Sequence, residues 1–508
     1  MASKPLLPIS RQLDLVIYDF VKILLKHSST DPGFSSNVGI SLGALLLSGC
    51  ISMSGINSQA ELKDAKTLDT GTRVNSAAVI DWPNQDWWTA YQDPQLNMLV
   101  AQTISENPTL KAANSRVALS QAYADSMHAE TLPDISLGGS ISRERFTAEQ
   151  FIPPPWAGST SWNNSVTAKA SYDLDLWDKQ KNIWNAALDE KQATAIEVQQ
   201  VKLELESAVV STYIQLEMQY NLRDIAQEYL DQVNQRIAIA RRSLAAGIGT
   251  QMTLSETETP LPLARARIEA IDGHISLLKS QLAALTGQGP GFGDSITRPT
   301  LVLDAPIGLP DTLPANLVGR RPDVMANRLY VKAASKNIEG AKAAFYPNIN
   351  LLAFVGFQAL SFSNLLTSAA SVAGVGPAIS LPIFDGGRRR SNLSAKTAIY
   401  DIAVENYNSV MVRALQDVSD QLLIMQVTQQ QMDEAKQALG NADRSYQLSL
   451  KSYHAGLSNY QHVLELHQVL LQQKDTLTQL QATRLDTYAG LMRSLGGGTL
   501  DSVSQAIQ

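Results

Sequence analysis

"KQKNIWNAALDEKQATAIEVQQVKLELESAVVSTYIQLEMQYNLRDIAQEYLDQVNQRIAIARRSLA", Lys179 to Ala245, runs for 67 residues without a proline or glycine. A second run, Arg389 to Ala455, has the same length and only Gly440 as an exception. With 30 glycines and 21 prolines in 508 residues, a given clean run of this length arises by chance on the order of once in a thousand, so both runs are read as helices. Apolar residues in the first fall at gaps of three and four: Leu222, Ala226, Tyr229, Val233, Ile237. Val463, Leu466, Leu470 and Leu477 follow the same rhythm after the second run. A helix of this length is about 100 Å long, several times a bilayer core, and is stable only when packed laterally along its whole length. Each run stops at a glycine turn, Gly247-Ile248-Gly249-Thr250 and Gly456-Leu457-Ser458, where the chain reverses.

The two runs belong to a duplication. "ENPTLKAANSRVALSQAYADSMHAETLPDISL" carries Pro108 and Pro133, and "RRPDVMANRLYVKAASKNIEGAKAAFYPNINL" carries Pro322 and Pro347, each pair 214 residues apart. "LDLWDKQ" at 174–180 aligns with "LPIFDGG" at 381–387, offset 207, and "AAGIGTQMTLSETE" at 245–258 with "HAGLSNYQHVLELH" at 454–467, offset 209. Four landmarks in one order define two copies of one unit. Each copy reads as a helix of about 25 residues ending before a proline, two extended segments, the long helix, the glycine turn and a returning helix. The extended segments are 133–146 and 161–176, then 347–360 and 373–385. Val166, Ala168, Ala170, Tyr172, Leu174 and Leu176 alternate as on a strand with two different faces, and the lengths suit a tilted strand crossing a bilayer.

Composition narrows the function classes. The net charge of −7 argues against nucleic acid as a partner. After the N-terminal region no segment holds 18 consecutive apolar residues, so membrane insertion would have to be by a closed β-barrel. The single cysteine, Cys50, has no disulfide partner and no ligand set with the six scattered histidines. It follows a short apolar run, 38–49, and "LSGC" resembles the lipobox of bacterial lipoproteins, which implies a signal peptide over 1–49 and lipidation of Cys50. The 37 residues ahead of that run exceed a usual signal n-region and point to a translation start assigned too far upstream. Ile51 after the cysteine implies outer-membrane sorting. No catalytic constellation or cofactor site is expected. His462 and His467 are five apart, not the i, i+4 zinc pair, and "GIGTQM" lacks the Lys-Ser/Thr of a phosphate loop. Arg320-Arg321 before Pro322 reads as a helix anchor or subunit contact, and Arg388-Arg389-Arg390 as a solvated helix start below a barrel, with lipid phosphate as the alternative. Trp156, Trp162, Trp177 and Trp184 are candidate interface residues, with ordinary packing nearly as good a reading for Trp184.

"YDLDLWDK" (172–179), "RRPDV" (320–324), "AAFYPNINL" (343–351), "LPIFDGGRRR" (381–390) and "LGGG" (495–498) together resemble the outer-membrane efflux proteins of the TolC family, in particular the lipoprotein branch that accompanies RND-type pumps. The likeness runs from about Trp87 to Gly498. It implies an α+β membrane protein: a trimeric 12-stranded β-barrel, four strands per chain, continued by a long periplasmic α-helical barrel. The implied layout is a lipidated linker over 50–85, a first repeat over 86–290, a connecting segment over 291–315, a second repeat over 316–498 and a tail over 499–508. The resemblance implies a passive exit channel in the outer membrane of a bacterial cell, working as a homotrimer with a periplasmic adaptor and an inner-membrane pump. A duct for peptide or protein secretion is the alternative, and a non-transporting coiled-coil scaffold a more remote one. By the same resemblance the adaptor docks at Gly247, Ile248, Gly249, Gly456, Leu457 and Ser458, and the periplasmic aperture lies at Asp443, Gln447 and Lys451. Four positions depart from the family pattern. Pro260 and Pro262 interrupt the returning helix and are expected to bend it or delay its start. Gln447 replaces an acidic residue, Thr499 stands where tryptophan is common, and Asp178 replaces a glycine.

Overall fold

In a computed structural model of the chain, the residues described are 53–63, 85–149, 153–303, 319–498. Cys50, Thr499, the apolar run before Cys50 and the connecting segment beyond residue 303 lie outside them. Twelve regular elements of the described residues follow the duplicated plan. A first helix α1 (Pro94–Glu106) precedes copy one: α2 (Pro108–Ala129), β1 (Asp134–Arg145), β2 (Thr160–Leu174), α3 (Lys179–Ala245), α4 (Gln251–Glu258) and α5 (Pro260–Leu285). Copy two is α6 (Pro322–Ala343), β3 (Asn348–Ala359), β4 (Ser371–Ser380), α7 (Arg388–His454) and α8 (Tyr460–Ser494). Both long helices have 67 residues, or about 100 Å.

Helix starts are written in the sequence as a capping residue followed by proline, whose missing N–H is not needed at the first helical position. The Asp93 carboxylate accepts from the backbone N–H groups of Gln95 and Leu96 ahead of Pro94. Asn107 accepts from Thr109 N–H ahead of Pro108. Pro260 and Pro262 bend the returning helix less than expected. Thr259 keeps helical angles (φ −56°, ψ −40°) and its N–H reaches Ser255 O, so α4 and α5 run on with little interruption. Together they cover 251–285, as α8 covers 460–494 at an offset of 209.

Four antiparallel strands form one sheet in the order β1-β2-β3-β4. Paired residues share a face, so the register sorts the side chains into two sets. One face carries Ile135, Leu137, Ile141, Val166, Ala168, Ala170, Tyr172, Leu351, Ala353, Val355, Phe357, Val375 and Ile379, with Asn164 and Arg143 joining it toward the β1–β2 loop. The other carries Ser136, Ser140, Ser142, Glu144, Asn163, Ser165, Lys169, Asp173, Asn350 and Gln358, interrupted by Leu352, Phe354 and Val372. A sheet apolar on one side and polar on the other, with exposed Ile135, Leu137, Val375 and Ile379 on the apolar side, is built to stand between lipid and water. β4 ends at Ser380 rather than near 385. It is an edge strand, and Leu381 and Ile383 beyond it have no neighbour to pair with. Among the described residues no helix is long and apolar enough to cross a membrane.

Below the sheet, α3 lies against α2 and α6, and α7 against α6 and α8. The main core sits midway along the long helices, where Trp87, Trp88, Tyr91, Leu96 and Leu99 pack on Val209, Tyr213, Ile214, Met411, Leu485 and Leu491. Here the helices of each copy stack end to end. Asn107 Nδ2 donates to Leu285 O at 2.7 Å, joining the end of α5 to the start of α2. Arg321 Nη1 donates to Ser494 O at 3.2 Å, joining α8 to α6 in the same way. Asn107 and Arg321 are 214 residues apart, and Leu285 and Ser494 are 209 apart. The offset thus falls from 214 to 209 within the hairpin and stays there. This corrects the 207-residue alignment, which pairs Asp178 with Asp385. In the structure Asp178 and Gly387 are the counterparts, both left-handed (φ 55° and 87°) immediately before their long helices. A glycine suits that position, so the departure at Asp178 carries backbone strain.

Candidate conduit, turns and periplasmic tips

The polar face of the sheet carries a cross-strand ladder. Asn163 Nδ2 donates to Glu144 at 2.6 Å, and Gln358 Nε2 donates to Asn163 Oδ1 at 3.2 Å. Ser140 and Ser165 hydroxyls lie 2.8 Å apart in the next row, and Asn348 Nδ2 donates to Asp173 at 3.0 Å lower down. Side chains with this chemistry suit a face turned to water.

Turns from strand to long helix are fixed by carboxylates. Asp175 accepts from Lys179 N–H and Lys181 N–H at 2.6 and 2.8 Å. Asp385 accepts from Gly387 and Arg389 N–H and from Arg389 Nε at 2.7 Å, and the Arg389 bond leads in holding this carboxyl below its ordinary range. Arg389 also donates to Pro382 O at 2.9 Å and lies over the Phe345 ring. It is therefore a half-buried strut, not part of a solvated helix start, and Arg390 Nη2 donates to Ser54 O at 2.9 Å. Trp177 stacks on Tyr346 (4.8 Å) and donates to Pro347 O, closing the copy-one turn onto copy two. Trp184 packs against His128 at 4.4 Å, the ordinary reading, while Trp156 and Trp162 are exposed at the sheet.

At the far ends of α3 and α7 the two turns are built alike. Ile248 N–H reaches Ser243 O and Gly247 N–H reaches Leu244 O; Leu457 N–H reaches Ser452 O and Gly456 N–H reaches Tyr453 O. This paired closure needs a left-handed residue, and Gly247 (φ 77°) and Gly456 (φ 72°) supply it. Thr250 and Asn459 then cap the returning helices. The closures turn Ile248 and Leu457 outward, 82% and 83% exposed, with Gly249 and Ser458 beside them. Two apolar side chains thus stand out from the turns instead of joining the core. Asp443, Gln447 and Lys451 are spaced i, i+4, i+8 on α7 and form one exposed stripe just above the tip. The neighbouring Tyr446 stacks on His467 of α8 at 4.7 Å, which fixes that stripe to the returning helix.

Sequence reasoning missed three carboxylate or amide clamps. Asp93, 1% exposed, also accepts from Thr300 N–H and hydroxyl, tying the connecting segment to α1. Burial pushes its carboxyl up, but the Thr300 and Leu96 bonds outweigh that and hold it low. Asp401 accepts from Ser58 Oγ (2.6 Å), Gln59 N–H and Ala60 N–H, and Asn408 exchanges bonds with Lys63 N–H and Glu61 O. Residues 53–63 are thereby laid as a strap down α7 from Arg390. The D-P signal of a helix start marks Asp93, but an extended strap has no periodicity to betray it.

A sheet with one lipid-compatible face, long helices below it and paired tips at the far end define a chain of an outer-membrane conduit. The outer membrane efflux protein family model matches residues 99–288 and 313–497, and the chain belongs to that family. It is 42% identical to the fusaric acid resistance protein FusA of Burkholderia cepacia over 70% of this chain and 68% of that protein. It is 30% identical to the multidrug resistance outer membrane protein MdtQ of Escherichia coli O157:H7, covering 74% of this chain and 80% of that one. The crystal structure of the outer membrane protein VceC from Vibrio cholerae superposes with a TM-score of 0.75 at 29% identity, covering 82% of this chain and all of that one. That of the CmeC channel of Campylobacter jejuni, at 18% identity, gives 0.78 over 89% of this chain and 97% of that one, a likeness of fold. The expected fold class, a trimeric β-barrel with four strands per chain continued by a long helical barrel, is the fold of this family.

Proposed function

We propose that three copies of the chain form a passive exit channel in the outer membrane, through which an inner-membrane pump of the RND type and its periplasmic adaptor discharge small toxic molecules. The observation that carries this reading is the register, which places a polar ladder and an apolar face on opposite sides of one sheet continuous with the long helices. Four strands cannot close, and three sets of four can. No bond changes in the channel; the pump supplies the energy. The knobs at Ile248 and Leu457 would seat the adaptor, and the Asp443–Gln447–Lys451 stripe would line the aperture. Three copies of Gln447 present neutral amides there, so any cation attraction falls to Asp443, opposed by Lys451.

Lipidation of Cys50 fits the strap. Ser54 is held at the first turn of α7, directly below the sheet. Four residues extended span at most about 14 Å, so Cys50 stays within reach of the inner leaflet of the outer membrane. The 42% identical relative makes fusaric acid, a small weak acid, the first compound to test. In a strain lacking its own outer-membrane efflux channels, expression of this chain with its pump and adaptor should raise the inhibitory concentration of fusaric acid or of unrelated drugs. Unchanged susceptibility across such a panel, with the trimer present in the outer membrane, would refute the proposal. Export of a peptide instead would move it to the secretion reading.

A further inference from the structure

Resting on the channel reading above, we infer that one row of the water-facing side of the sheet, Ser136–Lys169–Phe354–Gly374, is a weak binding site for small aromatic carboxylates. Lys169 selects the charge and Phe354 the ring. The register builds the row: Lys169 pairs with Ser136 of β1 and with Phe354 of β3, and Phe354 pairs with Gly374 of β4. Opposed residues on antiparallel strands have Cα atoms about 4.5–5.5 Å apart, so an ammonium and a phenyl ring share one short stretch of this face.

Three observations single this row out. Lys169 is the one lysine or arginine that the four strands carry on the polar face, against the carboxylates of Asp134, Glu144 and Asp173. It is also unspent. Elsewhere the polar groups satisfy one another: Asn163 joins Glu144 to Gln358, Ser140 meets Ser165, and Asn348 donates to Asp173. Lys169 is exposed, and among the described residues neither its ammonium nor the Ser136 hydroxyl has a protein partner. Finally, the apolar residues that interrupt the face gather here. Phe354 is 45% and Leu352 44% exposed, with Leu352 one row nearer the helices and Val372 one row nearer the hairpin loops. The Phe354 ring leans away from Lys169 and lies across β4, where a Cβ on Gly374 would meet it at 2.6 Å. The ammonium is thus left free beside an open ring.

A cation, a free hydroxyl and a rimmed apolar patch fit a ligand with a carboxylate at one end and an aromatic body at the other. The Lys169 ammonium pairs with the carboxylate and the Ser136 hydroxyl donates to it, while Phe354 and Leu352 take the ring. A cationic ligand with the same ring is repelled by Lys169, and a ringless anion gains only the charge. Asp134 is the competing counter-charge, one strand over and one row nearer the helices, roughly 7–8 Å away on the diagonal. Without Lys169 the strands would turn only carboxylates to the lumen and would oppose every anion. An exposed ion pair is weak, which suits a conduit, since a site on a conduction path must release what it binds. In the trimer three such rows stand at one level of the barrel.

The test is fluorine NMR line broadening of para-fluorobenzoate by the detergent-solubilised full-length trimer at low salt. Para-fluorobenzylammonium supplies the ring with the opposite charge, and trifluoroacetate the charge without the ring. The wild-type trimer should broaden para-fluorobenzoate at least about threefold more than either. K169Q and F354S should each remove most of that excess, K169R should keep it, and D134N should increase it. Both altered side chains are exposed, and a trimer band on an unheated gel verifies assembly of each variant. Equal broadening of the two ring probes by the wild-type trimer, or an undiminished excess in K169Q, overturns the inference. An excess lost in K169Q but kept in F354S overturns the aromatic class. Each of these results leaves the channel reading standing where the same trimer still confers resistance. Loss of the trimer, or unchanged susceptibility across the panel, removes the channel reading and the inference with it.

Discussion

Arg321 offers the most quantitative test of the stacked-helix junction. The residue is 8% exposed, and its guanidinium makes four directed bonds: to Asp323 at 3.1 and 2.8 Å, to Asp417 at 3.0 Å and to Ser494 O at 3.2 Å. Burial alone would lower its proton affinity, and the two carboxylates reverse that. Truncating one partner of a buried ion pair costs about 3–5 kcal/mol, mostly through the charges left behind. Asp417 is half exposed and Asp323 a quarter exposed, so water recovers part of that cost, and Arg321→Ala should destabilise by about 3 kcal/mol. Arg321→Lys, with a point charge in place of a fork, should lose at least about half as much. The assay is guanidinium unfolding followed by far-ultraviolet circular dichroism, with double-mutant cycles to each carboxylate. The better-buried bidentate pair with Asp323 should show a coupling larger than that with Asp417. A loss below about 1 kcal/mol for Arg321→Ala, or equal stability for lysine and arginine, would show that the junction does not depend on this clamp.

Glu206 is buried beside Trp87, with Lys202 3.6 Å away; desolvation, only partly offset by Lys202, pushes its carboxyl from 4.5 up to about 7. Its contribution to stability is full below pH 4.5 and is lost as pH rises through 7, a fall on the order of 3 kcal/mol that Glu206→Gln should abolish, seen as a flatter dependence of the unfolding midpoint on pH between 5 and 8. Gly456→Val forces a β-branched residue into φ 72° at roughly 1–2 kcal/mol of local strain; it should leave trimer yield unchanged but abolish drug resistance in the reconstituted system, and full resistance would remove the tip from the docking role. Asp401→Ala removes three acceptor contacts from the strap and should speed proteolysis within residues 53–63 at least severalfold, with no change expected only if the strap is held elsewhere.

Much of the architecture is legible because it is written in residues that local geometry forbids or demands. Proline is absent from both long helices and glycine occurs there only as Gly440, and Asn107-Pro108 and Arg321-Pro322 mark two starts. The left-handed turns fall at Gly247 and Gly456 as expected. Strand alternation in β2 was plain because every second residue meets lipid. β4 is less so, because Gly374, Gly376 and Pro377 blur its pattern.

The error in offset at the strand-to-helix turn is the more instructive one. Letter matching pairs Asp178 with Asp385 because both are acidic and follow an aliphatic–aromatic pair, Leu176-Trp177 and Ile383-Phe384. The physical equivalents are set by what the backbone requires. A carboxylate four residues ahead of Lys179 or Arg389 caps the helix, which makes Asp175 the partner of Asp385 in chemistry. A left-handed residue must precede the helix, which makes Asp178 the partner of Gly387 in conformation. The two criteria differ by one residue, so the copies reach the same helix through turns of different construction. That difference is confined to the turn. On either side of it the offset of 209 relates β2 to β4 and α3 to α7 alike, so the long helices of the two copies leave the sheet with equivalent residues on equivalent faces.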